Sequence, residues 1–133
     1  MANALYDFGR QGFLDGAYSW SSNNIKVALC SAAYTRNLST DEFLTSVSGI
    51  LATSANLSSK TSTAGVANAA SVTFSAVAGP TVGTQLVIYY DTGVAATSRL
   101  IGNIDTATGL PITPNGGDIT VTWSTGANKI FKL

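Results

Sequence analysis

From residue 25 onward, apolar and polar residues alternate with a period of two, in short runs separated by turn-forming residues. Ile25, Val27 and Leu29 alternate with Lys26, Ala28 and Cys30. Val72, Phe74 and Ala76 alternate with Thr73 and Ser75, and Ile119, Val121 and Trp123 with Thr120, Thr122 and Ser124. Successive side chains of a strand point to opposite faces, so each run predicts a strand with one face toward a core. The dense apolar run from Leu86 to Tyr90 predicts a central strand, and Leu100, Gly102 and Ile104 share one face of another. Turn chemistry stands between the runs: Gly79-Pro80, Asp91-Thr92-Gly93, Thr108-Gly109-Leu110-Pro111 and Pro114-Asn115-Gly116-Gly117. A parallel sheet needs a helix between successive strands, and the sequence offers none there. The expected fold is therefore all-β: an antiparallel β-sandwich or jelly-roll-like domain with a short N-terminal α-helix. A turn over residues 124–128 is expected to join the last two strands as a hairpin. Residues 52–71 are nearly all Ala, Ser, Thr, Asn and Gly, a composition that suits either a pair of short edge strands or a long mobile loop.

The N-terminal segment has a different period. Across residues 2–17 the apolar positions fall at helical spacing, with Leu5, Tyr6, Phe8 and Phe13 on a face opposite Asp7, Gln11 and Asp15. Asn3 is placed as an N-cap, and Asp7 with Arg10 as an i, i+3 pair. Gly9 and Gly12 each weaken such a helix by about 1 kcal/mol relative to Ala, so it needs a surface to lie on. Ser39 and Glu42 match a capping box ahead of Phe43 and Leu44 and predict a short helix or a turn of helix within residues 39–47. The organisation expected is a helix and linker over residues 1–20, followed by a sandwich domain over 21–133. With Asp7, Arg10 and Asp15 among them, the first twenty residues read as neither a secretory signal nor a membrane span. Cytosolic synthesis is expected, and an unpaired Cys30 suits a reducing compartment.

At 133 residues the chain is large enough for one core. Seven Lys plus Arg balance seven Asp plus Glu, which removes the electrostatic footprint for nucleic acid or an anionic membrane. With no histidine and one cysteine, the chain lacks the parts for a Ser-His-Asp triad, a Cys-His dyad, an imidazole metal site or an internal disulfide. No catalytic residue, metal or cofactor is expected. Asp91, Asp105 and Asp118 stand beside Gly or Thr at strand ends, where Asp forms turns. Residues 105–109 resemble a calcium loop only faintly, with one carboxylate where several are needed. Cys30 reads as a small buried hydrophobe. The motifs at Asn37 and Asn56 match the glycosylation pattern but are expected to stay bare. Ser58, Ser59, Lys60 and Thr61 lack the buried lysine of a Ser-Lys pair. Trp20, Tyr89, Tyr90 and Trp123 could stack on a sugar, although Trp123 is in phase with the core and Trp20 is the aromatic left for a partner.

Charged residues make up only 11% of the chain. Lys and Glu on strand edges are the ordinary defence against edge-to-edge association, so a β-rich domain without them is expected to assemble. Leu5, Tyr6, Phe8, Phe13 and Trp20 are the candidate interface. On that reading, removing residues 1–17 leaves the sandwich folded and weakens assembly.

Three blocks of sequence add a resemblance. The opening MANALYDFGRQGFL, the centre Leu86-Val87-Ile88-Tyr89-Tyr90-Asp91-Thr92-Gly93 with Ser98-Arg99-Leu100-Ile101, and residues 108–119 (TGLPITPNGGDI) resemble small structural proteins of tailed bacteriophages. Within that group, the size and sandwich reading are similar to capsid cement or decoration proteins. The resemblance implies a virion protein, assembled in the host cytoplasm, that binds itself and the major capsid protein and carries no catalytic residues. A tail or neck component of the same particle, or a carbohydrate-binding adhesin module, are the alternatives.

Overall fold

A computed structural model describes residues 4–105 and 109–133. The fold is all-β and sandwich-like, with antiparallel sheets and one short helix near the N-terminus. The strands are β1 (Ala4–Leu5), β2 (Ile25–Ser31), β3 (Ile50–Thr53), β4 (Thr61–Thr63), β5 (Val66–Asn68), β6 (Val72–Phe74), β7 (Gly83–Tyr90), β8 (Leu100–Ile104), β9 (Ile119–Val121) and β10 (Phe131–Lys132). Helix α1 spans Asp7–Leu14, and single 3-10 turns occupy Leu44–Ser46 and Ala95–Thr97. The main sheet has the order β1-β8-β7-β2-β3; a three-stranded sheet runs β10-β5-β4; β6 and β9 form a pair.

The apolar run at Leu86–Tyr90 lies in β7, the middle strand of the main sheet, in register with β2 from Ile25 opposite Tyr90 to Cys30 opposite Gln85. Ile25, Val27 and Leu29 of β2 join Leu86 and Ile88 of β7 in the larger core. The small sheets close it with Ala67, Val72, Phe74, Ile119, Val121 and Trp123. Ala28 and Cys30, on the other face of β2, are buried as well, packed with Val87, Tyr89, Leu100 and Tyr6 beneath Tyr34 and Val47. A loop over residues 32–49 thus covers the second face of the sheet, and β2 is apolar on both sides rather than one. Residues 52–71 hold a pair of short strands, β4 at the edge of the three-stranded sheet and β5 at its centre, joined in a hairpin whose central residues, Ala64 and Gly65, both have positive φ, as a tight turn matched to strand twist requires.

Four expectations need correction. The expected hairpin at the C-terminus is absent: β9 pairs with β6 and β10 with β5, so the last two strands lie in different sheets. Residues 124–129 make successive local turns, with the Gly126 amide donating to Ser124 Oγ and the Lys129 amide to the Gly126 carbonyl. These turns carry the chain from one sheet to the next. The helix begins at Asp7, after an extended Tyr6, rather than at residue 2. Ala4 and Leu5 pair with Asn103 and Gly102, and the Tyr6 amide donates to the Ile101 carbonyl, so strand pairing holds this stretch extended. Asn3 as a cap lies outside the described residues. The capping box at Ser39 and Glu42 caps nothing, because the 3-10 turn starts after Phe43 without a side-chain cap and Glu42 is engaged by Arg99 instead. Finally, the N-terminal segment, from Ala4 on, is packed into the sandwich and is not left free for a partner. Tyr6 is fully buried, and α1 lies against β8 through Gly9, while Gly12 packs on the Tyr18 ring. Deleting 1–17 would therefore open the core.

Candidate functional site

The residues expected to face a partner are largely spent on the chain's own fold. In the extended segment that begins with β1, Leu5 points into the larger core and Tyr6 into the smaller one. Phe8 is half-buried. Phe13 is half-buried too, edge-on to Tyr18 at 4.8 Å between ring centres and tilted against Phe131 at 6.0 Å. Trp20, expected to be available, is 5% exposed; its indole N–H donates to the Asn68 carbonyl and its ring meets Phe131 edge-on. A ring with an N–H is stable inside only when that N–H finds an acceptor, and the β5 main chain supplies one. Trp123 is held the same way by the Ala70 carbonyl, and Tyr89 is buried. Tyr90 packs on Tyr18. These aromatics form no stacking platform for a sugar.

What lies outside is a different set. Leu14 is 87% exposed, on the side of α1 turned away from the glycine contact, and Val94 and Leu133 are more than half exposed. Leu14 was missed because the helix was assumed to dock through its large residues. Two glycines three positions apart were the available signal that it docks through its small ones. Val94 tops a loop over residues 91–98 held by short hydroxyl contacts: Thr92 Oγ1 to Thr97 Oγ1 at 2.5 Å, and Ser98 Oγ donating to the Val94 carbonyl. Asp91 anchors this loop by accepting the Gly93 amide and pairing with Lys26 at 3.0 Å. Burial alone would raise its carboxyl, but the lysine and the amide outweigh it and hold the group below its usual range. Asp118 accepts the Ala76 amide. Asp91 is a turn residue, as expected, whereas Asp118 ties the start of β9 to the chain just after β6, and most of the faint calcium loop at 105–109 lies outside the described residues.

The most elaborate polar constellation underlies the 32–49 loop. Tyr6 and Tyr34 hydroxyls meet at 2.8 Å, and Tyr34 donates to Asp41 Oδ2 at 2.7 Å, which also accepts the Asn37 amide. Gln85 Nε2 donates to the Ser31 and Tyr34 carbonyls, Asn103 Nδ2 to Gln85 Oε1 at 2.8 Å, and Arg36 Nη1 to Asn103 Oδ1 at 2.9 Å. Burial, partly offset by the bonds from Tyr34 and Asn103, pushes the Tyr6 hydroxyl up to about 12; burial and the bonds to Tyr6 and Asp41 raise Tyr34 further. Arg99 pairs with Glu42 at 2.7 Å and lies over the Phe43 ring. These bonds tie the loop to the sheet beneath it and to Tyr6 beside β1, so the network works as a latch.

Nucleophile chemistry has little footing. Burial pushes the Cys30 thiol from 9.0 up to about 12, far from thiolate at neutral pH. Lys60, whose Nζ donates to the Asn23 carbonyl, is lowered by burial and contacts no serine hydroxyl. Among the described residues, no three His, Cys, Asp or Glu side chains come together to hold a metal ion, and no helix is long and apolar enough to cross a membrane.

Two surface features remain. The outer edges of the sheets at β3 and β4 carry Ile50-Leu51-Ala52-Thr53 and Thr61-Ser62-Thr63, without a charge in either. Elsewhere, an open cleft of about 500 Å³ separates β1 and β8 from the C-terminal segment.

Compared with known proteins, the chain matches no family model and no curated protein sequence.

Proposed function

We propose that this chain is a structural protein of a tailed-phage virion, a capsid cement or decoration protein. In this role it forms homo-oligomers and clamps major capsid protein subunits on the outside of the head lattice. The observation that carries the assembly half of this reading is the composition of the free edges. β3 and β4 offer unpaired main-chain groups with no charged side chain to repel a neighbouring strand. Isolated soluble sandwiches blunt such edges with Lys, Pro or bulges. Low total charge and the exposed Leu14, Val94 and Leu133 add uncharged contact area. The phage half rests on the resemblance of the sequence blocks at both ends and in the middle of the chain. The role needs no cofactor, catalytic residue, nucleic acid or membrane, and places the protein in the virion after assembly in the host cytoplasm.

The test is to purify the chain, mix it with emptied capsid shells, and follow it by sedimentation and electron microscopy. Self-association and regular decoration of the shell are expected, at a copy number comparable with the lattice sites. A protein that stays monomeric at high concentration and leaves shells bare overturns the reading. Density confined to a neck or tail ring assigns it to that part of the particle instead.

A further inference from the structure

The cleft of about 500 Å³ is of ligand size and lies where the sandwich fails to close. One wall is β1, an edge strand of the main sheet; the other includes β10, an edge strand of the three-stranded sheet. The two strands belong to different sheets, so the outer main-chain groups of both flank the gap without pairing across it. Its lining combines apolar side chains, Leu5, Ile88 and Ile130, with Arg10, Lys129 and Lys132. These are three of the chain's seven cationic residues, and no carboxylate lines the cleft among the described residues. Arg10 pairs with Asp7 at 3.2 Å, both half-exposed, whereas Lys129 and Lys132 form no ion pair with any described residue. Lys129 also sits in the left-handed region at φ 47°, a backbone cost accepted where the loop turns along the cleft.

We propose that this cleft binds an extended, acidic peptide segment of a partner chain. The segment lies between the edges of β1 and β10, bonds to their main-chain groups, rests apolar side chains on the floor, and sets carboxylates against Arg10, Lys129 and Lys132. Edge pairing supplies affinity without sequence preference, and the cations select acidic segments over basic ones. This inference stands on the cleft and does not depend on the virion reading.

The probe is a fluorescein-labelled peptide of alternating Glu and Val, compared with one of alternating Lys and Val by fluorescence anisotropy on the full chain. The Glu-Val peptide is expected to bind, with salt-sensitive affinity, and to shift the amide resonances of Ala4, Leu5, Phe131 and Lys132, while the Lys-Val peptide does not bind. The double variant Lys129→Gln, Lys132→Gln is expected to bind about tenfold more weakly. Ala95→Glu with Ala96→Glu changes net charge equally on the exposed 91–98 loop, at the other end of β8 from the cleft, and is expected to leave binding intact. Equal binding of the two peptides overturns the proposal, as does an equal loss from the Ala95, Ala96 pair or resonance shifts on another surface. Complete displacement by inorganic phosphate or free glutamate also overturns it, because the cleft would then hold a small anion and no strand. Resonance mapping uses the unaltered protein, so the proposal stays testable even if the lysine variants misfold.

Discussion

A methyl group on Gly9 would stand 2.7 Å from the Leu100 carbonyl oxygen and 2.9 Å from Ile101 Cα, both main-chain atoms that cannot move aside. Helix propensity favours Ala over Gly by about 1 kcal/mol, whereas overpacking costs about 1–3 kcal/mol. Packing wins, so Gly9→Ala is expected to lower the urea midpoint, and an unchanged or raised midpoint would show that α1 is not seated on β8. The buried hydroxyls and thiol make a second residue-scale prediction. Burial pushes Cys30 from 9.0, and Tyr6 and Tyr89 from 10.0, to about 12. Each group is held neutral in the fold at pH values where the unfolded chain ionises it. Their contribution is therefore complete below pH 9 and is lost as pH rises from 9 toward 12. Urea midpoints should fall across that window, and Cys30→Ala should delay the onset; a flat profile would contradict the burial of these groups. A thiol-reactive disulfide reagent should label Cys30 only after unfolding.

At the scale of elements, the 32–49 loop is a long irregular segment that nonetheless covers one face of the main sheet. Its hold depends on Asn103, 1% exposed, which bridges Gln85 below and Arg36 above. Asn103→Leu keeps the size and removes both bonds, leaving the buried Gln85 amide oxygen without its donor, at a cost of about 1–3 kcal/mol. Amide exchange in residues 32–49 should speed up more than exchange in β6 and β9, which lie in the other layer. Uniform acceleration would mean that the loop and sheet open as one unit. Edge strands carry the corresponding prediction for assembly. Ile50→Lys and Ser62→Lys place a charge on β3 and β4 at partly or fully exposed positions. They should reduce self-association in sedimentation while leaving the melting temperature nearly unchanged. Undiminished association would move the contact to another surface.

For the whole molecule, one such surface is the side of α1 opposite its glycine contact, where Leu14→Ser should weaken assembly and spare stability. That position was hidden from a reading that docks helices by large apolar residues. Period-two alternation was enough to place β2, β6, β8 and β9, and a continuous apolar run to place β7, because a strand must repeat every second side chain toward each face it buries whatever its partners are. It also put Trp123 inside. Turn chemistry marked Asp91 correctly, since an aspartate bonding the amide two residues on needs no distant partner for that bond, whereas Asp118 bonds the Ala76 amide across the β6–β9 pair. Tertiary structure alone decided which strand pairs with which, and so separated β9 from β10. It also made Leu5 and Tyr6 a strand rather than the start of a helix, and turned Trp20 inward to the Asn68 carbonyl. Those outcomes depend on main-chain acceptors and empty volume contributed by segments dozens of residues away, and local periodicity carries no record of them.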